Sequence, residues 1–427
     1  MKCQKSIVSL CCLLFIVSII SGCRTNANSE KKPIKIGALY PLTGNVAQMG
    51  QQELKGSELA VKQINEAGGI DGHKIVLVKA DAPDPNAAVA EAERLSTVEQ
   101  VPIIVGSYSS GISFAATAVA EKNGVIYWEM GAMTDSITQR GFKYTLRTTM
   151  NASTLAKSAV DLIEQLVAPK LKKAPKDLRI AIINESSAYG TSNADNVEKQ
   201  LKARGMNVVL RESYDANTND LSSLVLKLKK LNPDVLQPTN YNNDSILFYK
   251  QAQELGYTPT SIVLTGNCNR EFRQGVGDKI SESMISSWDG PDPERPQNNA
   301  PGQKEFFDLY QKTYGEQPIA TAIALRSFFG MNILADIIKS SQKDGKINAD
   351  DFLAAAYKVD IPVGKTPMGW GVKFVPPGNP DSGNNERTSA ISFVVHKGNL
   401  YAVFPPEAAS ADNLSYIQLP LKPFRER

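Results

Sequence analysis

From residue 34 onward, short apolar runs alternate with longer stretches in which apolar positions recur every three to four residues. The run Ile34–Tyr40 reads as a strand, and the stretch Glu53–Ala67 has helical spacing and stops at a pair of glycines. The alternation then continues, with strands predicted over Lys74–Ala80, Val101–Gly106 and Gly124–Tyr127 and helices over Asn86–Val98 and Ser113–Asn123. Alternation at this spacing predicts βαβ units and a parallel sheet with right-handed crossovers.

A second α/β block follows a lysine-rich stretch, Pro169–Lys176, which is predicted to be a solvated turn. Its predicted strands are Leu178–Ile183, Met206–Leu210, Pro233–Leu236 and Ile262–Leu264, and its predicted helices are Ser192–Arg204, Leu221–Leu231 and Ser245–Leu255. Two late helices and three late strand-like runs come after it, at 303–314, 320–339, 372–374, 390–395 and 400–404. The pattern therefore predicts an α/β protein with two sheets.

The first residues have a different pattern. Ile7–Ile20 is almost continuously apolar and follows two lysines, but it is shorter than the roughly 20 residues of a membrane-spanning helix. It ends in Ile20-Ser21-Gly22-Cys23, which resembles a bacterial lipobox. We therefore expect residues 1–22 to be a signal peptide, Cys23 to carry lipid, and residues 23–33 to form a polar tether. An ordinary secretory signal with a chance cysteine is the alternative.

Composition and charge narrow the function. The chain has 427 residues, a formal charge of +3 and no basic stripe interleaved with aromatic residues, which argues against binding to nucleic acid. After removal of the signal and lipidation of Cys23, only Cys268 remains, so no internal disulfide is expected. The two histidines, His73 and His396, are far apart in sequence, and no catalytic motif is present. We expect no enzyme activity, no cofactor and no metal site, and a monomer.

Several motifs in order carry a resemblance to a known family. They include Pro41-Leu42-Thr43-Gly44 after the first strand, the run from Ile64 to Gly72, Val105 to Ser110, and Asp234 followed by Tyr241. Together they resemble the leucine/isoleucine/valine-binding branch of type I periplasmic binding proteins, from about residue 34 to about residue 400. The resemblance implies two Rossmann-like lobes with parallel sheets joined by three crossovers: residues 34–151 plus 281–357, and residues 152–280 plus 358–427. It also implies a ligand in the cleft between the lobes and an ABC permease as partner.

Ligand contacts are expected where strands of the first lobe end, because ligands of open α/β sheets bind at their carboxyl ends. Ser109 and Ser110 stand at the start of a predicted helix, where free N–H groups suit a carboxylate, although both could also be plain helix caps. The resemblance assigns the carboxylate to Ser110 and a backbone contact to Gly131. The family's threonine position falls on Met133, so Thr134 is only its neighbour.

The second lobe is expected to contribute Tyr189 and Tyr241, which the resemblance implies as aromatic residues closing over the ligand. Both could equally be core or rim aromatics. Asn267 aligns where amino-acid binders of the family place a Glu for the ligand ammonium, and Met49 aligns with the family's tyrosine lid.

Two possibilities follow, because a buried ammonium without a counter-charge is costly. Either Glu129 or Asp244 pairs with the ammonium, or the ligand has none and is an amide, a urea-like compound or an organic acid. The sequence thus predicts a lipid-anchored extracytoplasmic protein that binds an amino acid or amide for an ABC importer. The alternative is a sensor of such solutes without a transport role.

Overall fold

The first sheet is built from five parallel strands in the order β2-β1-β3-β4-β5. In the computed structural model, which describes residues 31–266, 268–288, 300–318 and 321–427, these strands are β1 (Ile34–Tyr40), β2 (Ile75–Asp81), β3 (Ile103–Gly106), β4 (Ile126–Glu129) and β5 (Thr145–Arg147). Ile103 and Val105 pack on one face of the sheet and Ile104 on the other. Both faces are thus covered, as is usual for parallel sheets, whose strands are therefore mostly apolar.

Helices cover the two faces of this sheet. The helices that connect its strands are α1 (Ala47–Glu66), α2 (Pro85–Thr97) and α3 (Ser110–Asn123). Asp84 caps α2, because its carboxylate accepts hydrogen bonds from the N–H groups of Asn86 and Ala87.

The second sheet has seven strands in the order β12-β11-β10-β9-β8-β6-β7. They are β6 (Arg179–Glu185), β7 (Asn207–Tyr214), β8 (Val235–Thr239), β9 (Val263–Thr265), β10 (Ile285–Trp288), β11 (Ile391–His396) and β12 (Asn399–Phe404). Strands β6 to β10 pair in parallel, and β11 runs antiparallel to both of its neighbours. The helices that accompany this sheet are α4 (Ala152–Leu162), α5 (Ala188–Ala203), α6 (Ser222–Leu231), α7 (Asn242–Glu254), α8 (Arg270–Val276) and α9 (Asp278–Ser281). Helix α4 continues through a wide turn, Ile163–Val167, into Ala168–Lys170.

Three later helices are α10 (Gln303–Tyr314), α11 (Thr321–Ser341) and α12 (Ala349–Ala356), and a short one is α13 (Ala411–Ser415). Apolar residues of α10, α11 and α12 belong to the core of the first sheet. Helix α11 packs closely on α1 at Gly56. A Cβ atom at this position would lie only 2.1 Å from the carbonyl oxygen of Ala324. Pro33–Arg427 is one compact unit that contains both sheets.

The predicted fold class, two α/β lobes with parallel sheets, is confirmed, but the expected lobe boundaries differ from the observed pairing. Strand β10 belongs to the second sheet, so the return to the first lobe comes after Trp288 and not at residue 281. Trp370, Val372 and Phe374 pack in the core of the first sheet, so the chain re-enters the second lobe near β11 and not at residue 358. Strand β10 is short and carries two serines, and residues 372–374 form only isolated bridges, so neither has a strong local pattern.

Among the helices of the described residues, none combines the length and the apolar character that crossing a bilayer requires. The predicted signal peptide, the lipidation site Cys23 and Asn267 lie outside the described residues.

Candidate functional site

A cavity lies between the two lobes, beyond the carboxyl ends of strands from both sheets. Its empty space is about 600 Å³, including the mouth that opens to solvent. The first lobe lines it with Met49, Tyr108, Gly131, Met133, Ile323 and Arg326. The second lobe lines it with Tyr189, Asn240, Tyr241, Asn242, Gly266 and Asn269. A cleft lined from two lobes, with apolar walls and a few polar groups, suits a small organic molecule.

Both predicted tyrosines of the second lobe line this cavity. The rings of Tyr189 and Tyr241 stack with centroids 5.6 Å apart, and Tyr108 of the first lobe lies 6.2 Å from Tyr241. The Tyr189 hydroxyl donates to the carbonyl of Thr265 at 3.1 Å. Gly266 is required beside it, since its φ is +77° and a Cβ atom would lie 2.1 Å from the Tyr189 hydroxyl. The tyrosines therefore present a firmly held apolar face to the ligand space.

The two predicted serines, Ser109 and Ser110, lie outside the cavity lining. Ser110 is buried, and its hydroxyl oxygen accepts hydrogen bonds from the N–H groups of Met133 (3.3 Å) and Thr134 (3.2 Å). Ser109 precedes α3 as its cap residue without a capping side-chain hydrogen bond. Neither serine is among the residues that line the cavity. The hydroxyl of Ser110 instead joins two loops of the first lobe.

Glu129 is also turned into the protein. One carboxylate oxygen accepts from the N–H groups of Gly131 and Ala132, each at 2.7 Å, and the residue is fully buried. Burial raises the pKa of Glu129 to about 7, although hydrogen bonds from Ser113 and from the Ala132 and Gly131 backbone act in the opposite direction. Glu129 does not line the cavity, whereas Gly131 does. The structure therefore places this acid behind the loop that was predicted to contact the ligand.

Gly131 itself cannot be replaced by a larger residue without rearrangement. A Cβ atom there would lie 1.9 Å from a carboxylate oxygen of Glu53, which is buried on α1. The absent side chain thus lets the loop backbone run directly between α1 and the cavity.

Thr134 joins the two lobes. Its hydroxyl donates to the carbonyl of Ala188, at the start of α5, over 2.8 Å. Together with the contact of Tyr108 with Tyr241, this bond holds the first lobe against the second. The two lobes therefore touch each other at the cleft in this structure.

Asp244, the other acid considered for an ammonium, is buried near the start of α7 and outside the cavity lining. It accepts a hydrogen bond from the Tyr214 hydroxyl at 2.7 Å, and burial raises its pKa to about 7. In the parts of the chain that the structure describes, His, Cys, Asp and Glu side chains nowhere gather in threes as a metal site requires.

Arg326 and Asn240 are among the lining residues that were not predicted from the sequence. Arg326 on α11 is 3% exposed, and Asn240, just after β8, is 2% exposed. Each had a signal in the sequence. Arg326 is the only charged residue between Glu316 and Asp336, in a mostly apolar stretch of α11, and Asn240 directly follows a buried strand at its carboxyl end.

Comparisons with known proteins agree with this architecture. The family model described as periplasmic binding protein matches residues 33–379. Leu/Ile/Val-binding protein homolog 7 of Brucella abortus (strain 2308) is 40% identical over 405 residues, which cover 94% of this chain and 98% of the relative. Leu/Ile/Val-binding protein homolog 8 of Brucella suis biovar 1 (strain 1330) is 39% identical over 381 residues, 88% of this chain and 92% of the relative.

Solved structures with the same fold contain different bound ligands. The branched-chain amino acid transporter substrate binding protein LivJ of Streptococcus pneumoniae, in complex with isoleucine, has a TM-score of 0.73 at 24% identity. The match covers 87% of this chain and all of that one. A solute binding protein of an ABC transporter from R. palustris, in complex with benzoate, has a TM-score of 0.72 at 17% identity, covering 87% of this chain and 95% of that one. At these identities the likeness concerns the fold and leaves the ligand open.

Proposed function

The chain belongs to the periplasmic binding protein family, and on this premise we propose that it is the extracytoplasmic, lipid-anchored solute-binding protein of an ABC importer. The observation that carries the proposal is a cleft lined from both lobes, with the stacked Tyr189 and Tyr241 on one side and Gly131 on the other. A solute that touches both lobes stabilises their closed arrangement, and a permease can then recognise that arrangement.

The solute is proposed to be a small organic molecule with an apolar part. The apolar walls of the cavity, Met49, Met133 and Ile323, favour a hydrophobic body, and its amides and arginine favour a polar head group. An amino acid or related amide agrees with the names of the relatives, and an organic acid agrees with the benzoate bound by the R. palustris protein. Sensing of the same solutes, without transport, is the alternative role.

Anchoring through Cys23 is supported by the apolar run that ends in Ile20-Ser21-Gly22-Cys23. The anchor keeps the protein beside the membrane in which its permease lies. The protein is proposed to act as a monomer that needs no cofactor.

The test is a thermal-shift panel of amino acids, amides and small organic acids. A ligand that binds only the folded protein stabilises it by RT ln(1 + [L]/Kd), which is about 2.7 kcal/mol at 100 Kd. We expect at least one solute class to raise the melting temperature, and Tyr241→Ala to abolish the rise.

Tyr416→Ala is the matched control, because Tyr416 stacks on His396 away from the cavity lining. A panel in which no solute raises the melting temperature of the wild-type protein would contradict solute capture. An equal loss of the rise in both variants would contradict the proposed site.

A further inference from the structure

The loop after β4, in which Gly131 was expected to contact the ligand, has already used four of its backbone N–H donors. The N–H groups of Gly131 and Ala132 donate to Glu129, and those of Met133 and Thr134 donate to the hydroxyl of Ser110. All four consecutive N–H groups therefore have partners inside the protein. A ligand anion bound here would have to displace buried hydrogen bonds, which costs free energy.

Arg326 supplies a positive charge at the cavity instead. It lies one helical turn after Ile323 on α11, so both side chains share the helix face that lines the cavity. The close packing of α11 on α1 at Gly56 places this face at the cavity. A guanidinium presents several N–H donors in one plane and matches the two oxygens of a carboxylate.

The described lining residues offer no negatively charged group that could bind a ligand cation. None of the described residues that line the cavity is Asp or Glu. Glu129 and Asp244 lie outside the lining, and both accept hydrogen bonds from protein groups. Among the described lining residues, a ligand ammonium would thus meet a guanidinium and no carboxylate, which is unfavourable on both counts.

Asn240 adds a second polar contact from the opposite lobe. Among the described residues, neither its amide oxygen nor its amide nitrogen has a partner that meets hydrogen-bond geometry, although Asn240 is 2% exposed and lines the cavity. The hydroxyl of Tyr214, beside it, donates to Asp244. A buried amide without partners is costly, so a ligand group that both donates and accepts, such as a hydroxyl, fits this position.

We infer that the solute is a small organic carboxylate without an α-ammonium group, whose carboxylate binds Arg326 and whose hydroxyl or amide group binds Asn240. The apolar body of the solute then lies against Tyr189 and Tyr241. The inference rests on the proposed solute-binding function and names the substrate class of the same cleft. It makes Arg326 and Asn240 the residues that determine specificity.

The experiment uses ligands that share one carbon skeleton. L-leucine, 4-methylpentanoate, 4-methylpentanamide and 2-hydroxy-4-methylpentanoate are compared by calorimetry, and a second set on a phenylpropanoate skeleton covers aromatic solutes. In the wild-type protein the carboxylates should bind at least ~10-fold more tightly than the amino acid and the amide. Arg326→Gln should lower the affinity for the carboxylates by ~30-fold or more and the affinity for the amides by less than ~3-fold.

Controls separate recognition from folding. Arg140→Gln removes a different arginine of the first lobe, which is half-buried and packs on Phe114 and Phe142, and should leave every affinity unchanged. Asn240→Ala should remove the advantage of the hydroxy acid over the plain acid. If Arg326→Gln fails to fold, the order of ligand affinities in the wild-type protein and the affinities of Asn240→Ala still test the inference.

Three outcomes are distinct. Selective loss of carboxylate binding in Arg326→Gln supports the inference. Tightest binding of the amino acids, or equal effects of Arg326→Gln on acids and amides, overturns the inference and leaves solute capture standing. Binding of no member of either set, together with no thermal shift in the wider panel, overturns both.

Discussion

Glu129 shows at the scale of a single residue how burial redirects a side chain. Its carboxylate binds two backbone N–H groups of its own loop, and burial raises its pKa to about 7 from the ordinary 4.5. Because the folded protein holds the proton more tightly than the unfolded chain does, this group favours folding below pH ~4.5 and loses that contribution as the pH rises to about 7.

Glu129→Gln tests this reading, since the variant keeps an accepting oxygen and has no titrating proton. The free energy of unfolding of the wild-type protein, relative to the variant, should fall by up to roughly 3 kcal/mol between pH ~4.5 and ~7 and then stay level. Urea unfolding at several pH values measures it. Glu66→Gln, at the exposed end of α1, is the control and should give a profile parallel to that of the wild type. A parallel profile for Glu129→Gln as well would show that the site does not titrate differently in the folded state.

At the scale of elements, the loop after β4 couples ligand binding to closure. Gly131 lines the cavity, and three residues later Thr134 bonds to the start of α5 in the other lobe. Movement of this loop relative to α5 would break the bond, so the bond exists only when the lobes are together.

Thr134→Val should therefore weaken the binding of a cleft ligand by ~3- to 10-fold, the loss of about 1 kcal/mol expected for one hydrogen bond. Thr134→Ser keeps the hydroxyl and should bind nearly as the wild type does. Calorimetry gives the affinities, and small-angle scattering should show that Thr134→Val needs more ligand to reach the compact form. Equal affinity of the Val and wild-type proteins would exclude a role for this bond in closure.

At the scale of the whole molecule, two sheets direct the carboxyl ends of their strands to one cleft. The first-lobe loops after β3 and β4 meet the second-lobe segments after β8 and β9 there. This follows the general rule for open α/β sheets, in which ligands bind beyond the carboxyl ends of the strands.

The predicted lipid anchor at Cys23 concerns where the whole molecule is located. Cys23→Ser should release the protein from membranes or block its maturation, because lipid can no longer be attached to the sulfur. Fractionation of cells that express each form, followed by immunoblotting, measures it. Cys268→Ser is the matched control, since this cysteine is buried in the second lobe, and it should fractionate as the wild type does. A Cys23→Ser protein that stays in the membrane fraction at its mature size would refute the anchor.

The sequence by itself determined the fold class, because strand and helix periodicities are local properties of neighbouring residues. The resemblance to a known family also implied that Tyr189, Tyr241 and Gly131 lie at the cleft, and all three line the cavity. The same local signals were too weak for β10 and for residues 372–374, whose lobe depends on partners far away in the chain.

Only the tertiary structure decided which polar groups face the ligand. Ser110 and Thr134 looked available in sequence, but each has a hydrogen-bond partner in another segment that comes close only after folding. Arg326 stands almost 200 residues after Gly131 in the chain, and the packing of α11 on α1 brings both to one cavity. Periodicity predicts which face of a helix is buried, whereas a side chain's hydrogen-bond partner is determined by elements that are distant in sequence.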